Sequence, residues 1–84
     1  MEVVKLDYPI TVDGTEVKEL SMRRPKVKDQ LASDKSGGSD GDKEVRLFAN
    51  LCEVAPSVIE ELDMIDYGKV QEQYKSFLSS RPKK

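Results

Sequence analysis

Two acidic groupings, one basic run and one cysteine are the places where this chain could do chemistry. Asp40-Gly41-Asp42 sets carboxylates two apart beside a stretch of glycine and serine, and calcium loops are built from such carboxylates. That loop needs oxygen ligands at alternate positions, glycine at the sixth and glutamate at the twelfth. Counted from Asp34 the sixth residue is Ser39, and counted from Asp40 it is Val45, so the pattern fails. Glu60 with Asp63, and Asp63 with Asp66, fall three apart, the spacing at which helical carboxylates could share a proton. Acid–base work of that kind needs a desolvated cleft, and these pairs read instead as solvated helix faces. Arg23-Arg24-Pro25-Lys26-Val27-Lys28 gathers four positive charges in six residues, enough for salt-dependent attraction to phosphates. The chain as a whole carries a net charge of −2, and neither a helix-turn-helix nor an aromatic stacking platform accompanies the run, so it reads as a solvated strand end.

Cys52 is the single cysteine and there is no histidine. With nothing to activate its thiol, Cys52 reads as a small buried apolar residue. The missing histidine also removes the commonest general base and the commonest metal ligand. No phosphate-binding glycine motif, serine triad or zinc spacing is present. The sequence therefore assigns no catalytic, cofactor-binding or metal-ligating residue, and the chain is expected not to be an enzyme.

These residues must be positioned by a small scaffold. Eighty-four residues make one domain, with charged residues at 36% and aromatic ones at only 6%, the composition of a soluble protein with a thin core. No stretch approaches the roughly 18 apolar residues of a membrane span, and no signal-like segment opens the chain, so a cytoplasmic protein is expected. Residues 40–66 hold eight acids against two bases and residues 67–84 five bases against one acid. That polarity suits complementary faces or an acidic-to-basic partner contact.

Val4, Leu6 and Tyr8 alternate with Lys5 and Asp7, the period of a half-buried strand, and Leu20 and Met22 mark a second strand beyond a turn at Asp13-Gly14. A three-residue loop, Asp13 to Thr15, would set Leu6 against Met22 and Tyr8 against Leu20, gathering the apolar residues on one face. Pro9, lacking an amide hydrogen, suits an edge or a bulge. A short helix over 26–33 would place Val27 and Leu31 on one side. Residues 33–41 read as a flexible surface loop. Asp42 is the expected N-cap of the main helix, along which Val45, Phe48, Leu51, Cys52 and Ala55 recur at helical spacing. Pro56 fits the first turn of another helix carrying Val58, Ile59 and Leu62, with Glu60, Glu61 and Asp63 facing water. A last helix from about Asp66 to Leu78 would carry Tyr67, Val70, Tyr74, Phe77 and Leu78 on its apolar side, and 80–84 form a basic tail. The fold class is α+β: a β-hairpin followed by three to four short helices in one domain.

The run Val-Lys-Leu-Asp-Tyr-Pro-Ile at 4–10, then Gly14, then Val17 through Asp29 with its Leu-Ser-Met-Arg-Arg-Pro core, resembles a tail assembly chaperone family of Mu-like, contractile-tailed phages. Leu-Asp-Met-Ile-Asp-Tyr at 62–67, followed by a helix ending Phe77-Leu78, is similar to that family's C-terminal half. The resemblance implies a phage or prophage helper in the host bacterial cytoplasm. Such a helper coats the tape measure protein, keeps it soluble and helps tail tube subunits polymerise around it. It implies no small-molecule substrate, nucleic acid or membrane as partner. Helix residues Phe48, Leu51, Tyr67, Tyr74 and Phe77 are expected to include partly exposed partner contacts, although the stripe of Tyr67, Tyr74, Phe77 and Leu78 also reads as core. Two other readings stay open at this point: a small structural adaptor retained in the virion, and a nucleic-acid-binding regulator using Arg23 to Lys28.

Overall fold

The structure is a computed structural model that describes residues 1–79. Strands β1 (Glu2–Val12) and β2 (Thr15–Met22) form an antiparallel hairpin. Helices α1 (Val27–Lys35), α2 (Asp40–Cys52), α3 (Pro56–Glu60) and α4 (Met64–Ser79) follow. This is the α+β arrangement expected from the pattern. The basic tail expected at 80–84 lies outside the described residues.

The hairpin corrects the expected register. Asp13 and Gly14 both take positive φ, 51° and 78°, the geometry of a tight two-residue turn, so Val12 pairs with Thr15 and Ile10 with Val17. At the open end Val4 pairs with Leu20 and Glu2 with Met22. Between these stretches β1 places four residues, Leu6 to Pro9, where β2 places only Lys18. Leu6 therefore does not meet Met22, nor Tyr8 Leu20. The expectation assumed an unbroken ladder, and the bulge around Pro9 shifts the pairing partway along. Val4, Leu6, Leu20 and Met22 still share the buried face, whereas Tyr8 is exposed.

Helix α2 supplies the centre of the core through Leu47, Phe48, Leu51 and Cys52. Its N-cap is Ser39, not Asp42. The Ser39 hydroxyl accepts from the Asp42 amide and the Asp42 carboxylate accepts from the Ser39 amide, each at 3.1 Å. This reciprocal cap brings Asp40 and Gly41 into the helix, and α1 takes residues 33–35. The span between the two helices is accordingly shorter than the expected loop at 33–41. Pro56 occupies the first turn of α3, as its fixed φ suits. Val58, Ile59 and Leu62 cover one side of the core, and Val70 and Phe77 of α4 another.

Helix α1 forms where expected but faces the other way. Val27 and Leu31 are 77% and 54% exposed, and the residues turned inward are Asp29 and Ser33.

Phe48 is almost wholly buried, with its ring centroid 5.7 Å from Tyr67 and 5.5 Å from Tyr74 in tilted pairs. Truncation to Phe48→Ala should therefore cost about 3–5 kcal/mol of unfolding free energy, read from urea denaturation. A loss below about 1 kcal/mol would show that this ring does not anchor the core.

Candidate functional site

The bulge in β1 leaves backbone amides without strand partners, and a carboxylate from the far end of the chain binds them. Asp66, in the first turn of α4 and fully buried, accepts from the Asp7 amide at 2.8 Å and from the Tyr8 amide at 3.0 Å. Lys69, one turn along, places its ammonium 2.7 Å from Asp7 and 3.7 Å from Asp66 and donates to the Lys5 carbonyl at 3.1 Å. Burial alone would push the Asp66 carboxyl up. The two amide donors and the Lys69 cation outweigh it and hold the group below the ordinary carboxylate range. Asp66 was expected on a solvated helix face with Asp63. Asp63 is exposed and Asp66 is inside, so the two carboxylates do not converge.

A second polar anchor fixes α1. The Arg23 guanidinium meets the Asp29 carboxylate through two bonds of 2.7 and 2.8 Å, and Asp29 also accepts from the Lys26 amide at 2.8 Å. The Arg23 hydrogen bond is the largest influence holding the Asp29 carboxyl down, to about 2. One helical turn later Ser33 donates to the Lys43 carbonyl of α2 at 2.8 Å. Arg24 lies over the Phe77 ring, 5.4 Å from its centroid, and donates to the Phe77 carbonyl at 3.2 Å. The basic run is thus not a uniformly solvated strand end: both arginines hold the fold together, while Lys26 and Lys28 remain exposed.

Two further titratable groups, Tyr67 and Cys52, are shifted by their surroundings. Tyr67 donates to Glu44, which also accepts from Gln71 at 2.9 Å, and burial followed by the Glu44 carboxylate raises the phenol. Cys52 is buried, as expected, and burial pushes its thiol up to about 11, far from the thiolate needed for reactivity. Among the described residues no buried side-chain nitrogen or oxygen lacks a hydrogen-bond partner.

Of the five expected partner contacts, Phe48, Leu51 and Phe77 lie in the core, so the expectation of partial exposure does not hold for them. Only Tyr67 and Tyr74 keep part of their surface accessible, packed against Phe48. The apolar side chains that do face outward are others. Val27 and Leu31 stand on α1, Met64 and Ile65 at the start of α4, and Val3 and Tyr8 on β1, while Leu78, expected on the apolar side of the last helix, is exposed at its end. The signal for the first pair was present in the sequence, because Asp29 and Ser33 also stand four apart and α1 can bury only one of the two stripes.

The domain thus hydrogen-bonds its buried polar side chains internally and leaves several apolar side chains on its surface. The chain belongs to the phage tail assembly chaperones, since the family model for phage tail assembly chaperone proteins, E, or 41 or 14, matches residues 3–79. The match is to the family as a whole and does not single out its Mu-like members. No curated protein and no solved structure matches the chain significantly.

Replacing Asp66 with alanine should cost about 1–3 kcal/mol in urea denaturation, because the Asp7 and Tyr8 amides lose their charged acceptor while Lys69 keeps its pair with Asp7. A second outcome concerns pH. Asp29 and Asp66 both have folded-state values below the unfolded reference of 3.8, so the stability they provide is present above about pH 4 and is lost as pH falls through their folded values. The urea midpoint should drop progressively between about pH 4 and pH 2, and a midpoint indifferent to acid in that window would contradict the ionised anchors.

Proposed function

We propose that this chain binds the tape measure protein in the host cytoplasm, keeps it soluble before assembly and assists polymerisation of the tail tube around it, with no catalytic step. The observation that carries this reading is the orientation of α1. A nine-residue helix is fixed to the domain by Arg23–Asp29 and Ser33–Lys43. Its outer stripe of Val27 and Leu31 faces solvent between the exposed Arg24, Lys26 and Lys28. Exposing that stripe has a hydration cost that a partner's apolar surface removes. The flanking cations suit an apolar stripe bordered by acids, and a long helical rod offers such stripes repeatedly.

Tyr74 extends this surface, lining a cleft of about 230 Å³ together with Gln30 and Asp34 of α1. Tyr67 lines a separate groove of about 410 Å³ beside Met64. We keep both tyrosines as border contacts and assign Phe48, Leu51 and Phe77 to the core. Family membership supports tail proteins as the partner class. Among the described residues no helix is long and apolar enough to cross a membrane.

The test is co-expression with the tape measure protein of the same phage. The double variant Val27→Asp/Leu31→Asp changes exposed positions and should leave stability within about 1 kcal/mol of the parent. The fraction of tape measure protein recovered in the soluble fraction should nevertheless fall several-fold. Undiminished recovery with the variant would remove α1 as the binding face.

A further inference from the structure

Beside β1 lies a second unfilled surface of different geometry, a groove of about 850 Å³ between that strand and α4. Val3 and Lys5 form one wall, and Ile65, Gly68 and Glu72 the other. In an antiparallel ladder a residue directs its amide and its carbonyl to the same side, and alternate residues direct theirs to opposite sides. The Lys5 carbonyl receives the Lys69 ammonium of α4, so Lys5 turns its backbone polar groups away from β2. Val3, two residues earlier, does the same. The sheet has only β1 and β2, so no strand of the described fold meets that edge. Asp66 and Lys69 cover the edge from Lys5 to Tyr8, whereas the Val3 stretch faces the groove.

Gly68 is the second observation. It stands inside α4, where glycine is the least favourable residue after proline. A Cβ placed on Gly68 would meet nothing within 4 Å, and its φ is not in the left-handed region that requires glycine. The chain's own packing therefore gives no reason for it. Close approach of another backbone is a standing reason for glycine inside a regular element, and here that approach would come from the groove.

We propose that the groove captures an extended, uncharged apolar segment of a partner polypeptide, which adds to β1 as a third strand at Val3 and passes over Gly68. Exposed Val3 and Ile65 supply apolar walls for alternate side chains of the segment, and the free edge supplies backbone hydrogen bonds. The charges on and beside the rim sum to zero, Lys5, Lys69 and Lys75 against Asp7, Asp66 and Glu72, which favours a segment without net charge. The proposal rests on reading the partners as tail polypeptides, but its surface and the extended conformation it selects are separate from the α1 stripe.

The experiment titrates the full chain with overlapping synthetic peptides that tile the tape measure and tail tube polypeptides of the same phage. Binding is followed by fluorescence polarisation and amide hydrogen exchange. Apolar, uncharged peptides should bind and slow exchange at Val3. Gly68→Ala should weaken them about tenfold or more, while raising the melting temperature by about 4–8 °C through better helix propensity. A stabilised Gly68→Ala chain that binds as before overturns the proposal, as does a panel with no binding peptide. Concentration-dependent protection of Val3 without peptide overturns it in favour of a second copy of the chain. If intact tape measure protein is captured through α1 but no peptide enters the groove, only the groove assignment falls, whereas failure of both removes the parent reading as well.

Discussion

The contact on which the rest of the structure depends is the grip of Asp66 on the bulge of β1. A two-stranded hairpin is marginal in water, and this one interrupts its own ladder with four unmatched residues. The Asp7 and Tyr8 amides exposed by that interruption find their acceptors nearly sixty residues away, on both oxygens of one buried carboxylate. Lys69 supplies the compensating charge from the next turn of the same helix. The first strand is thereby fixed to the last helix, and α4 is held so that Tyr67 and Tyr74 meet Phe48 and Val70 and Phe77 reach the core. A buried carboxylate is costly when unpaired, but here each oxygen has a backbone donor and one of them also has Lys69 nearby.

The same economy of polar contacts determines what is left outside. Helix α1 has two candidate inner stripes, Val27–Leu31 and Asp29–Ser33. The bidentate Arg23–Asp29 pair, the Lys26 amide and the Ser33–Lys43 bond together select the polar one. Hydrophobic burial of two aliphatic side chains is forgone, and an apolar stripe remains on the surface of a small, highly charged domain. For a chaperone of tail assembly this is a coherent arrangement, because a client is covered reversibly only by a surface the protein does not need for its own core.

Much of the fold was legible in the residues. The alternation at Val4, Leu6 and Leu20, Met22 marked the hairpin and its buried face, Asp13-Gly14 marked the turn, and Pro9 marked the irregularity. The helical recurrence of Phe48, Leu51 and Cys52 and the placement of Pro56 located α2 and α3 within a few residues. The register escaped because a bulge shifts pairing without changing the composition of either strand. The start of α2 escaped because polarity between 33 and 41 was weighed without the cap that Ser39 and Asp42 form together. The facing of α1 and the burial of Asp66 were hidden for a common reason: spacing arguments rank residues by hydrophobicity, whereas both outcomes are decided by hydrogen-bond partners brought from distant parts of the chain. Phe77 belongs to a stripe that reads both as contact and as core, and in a domain with so few aromatics the core takes it along with Phe48 and Leu51.

We propose the outer stripe of α1 as the binding face for tail polypeptides, the tape measure protein first among them. Site-specific photo-crosslinking tests it most directly, with a photoreactive residue placed at position 31 and, as a control, at the exposed position 19 on the hairpin. A crosslink to tape measure protein from position 31 that is absent from position 19 is the outcome required. Crosslinks from position 19 alone, or from neither position while the two proteins still co-purify, would place the client elsewhere on the chain.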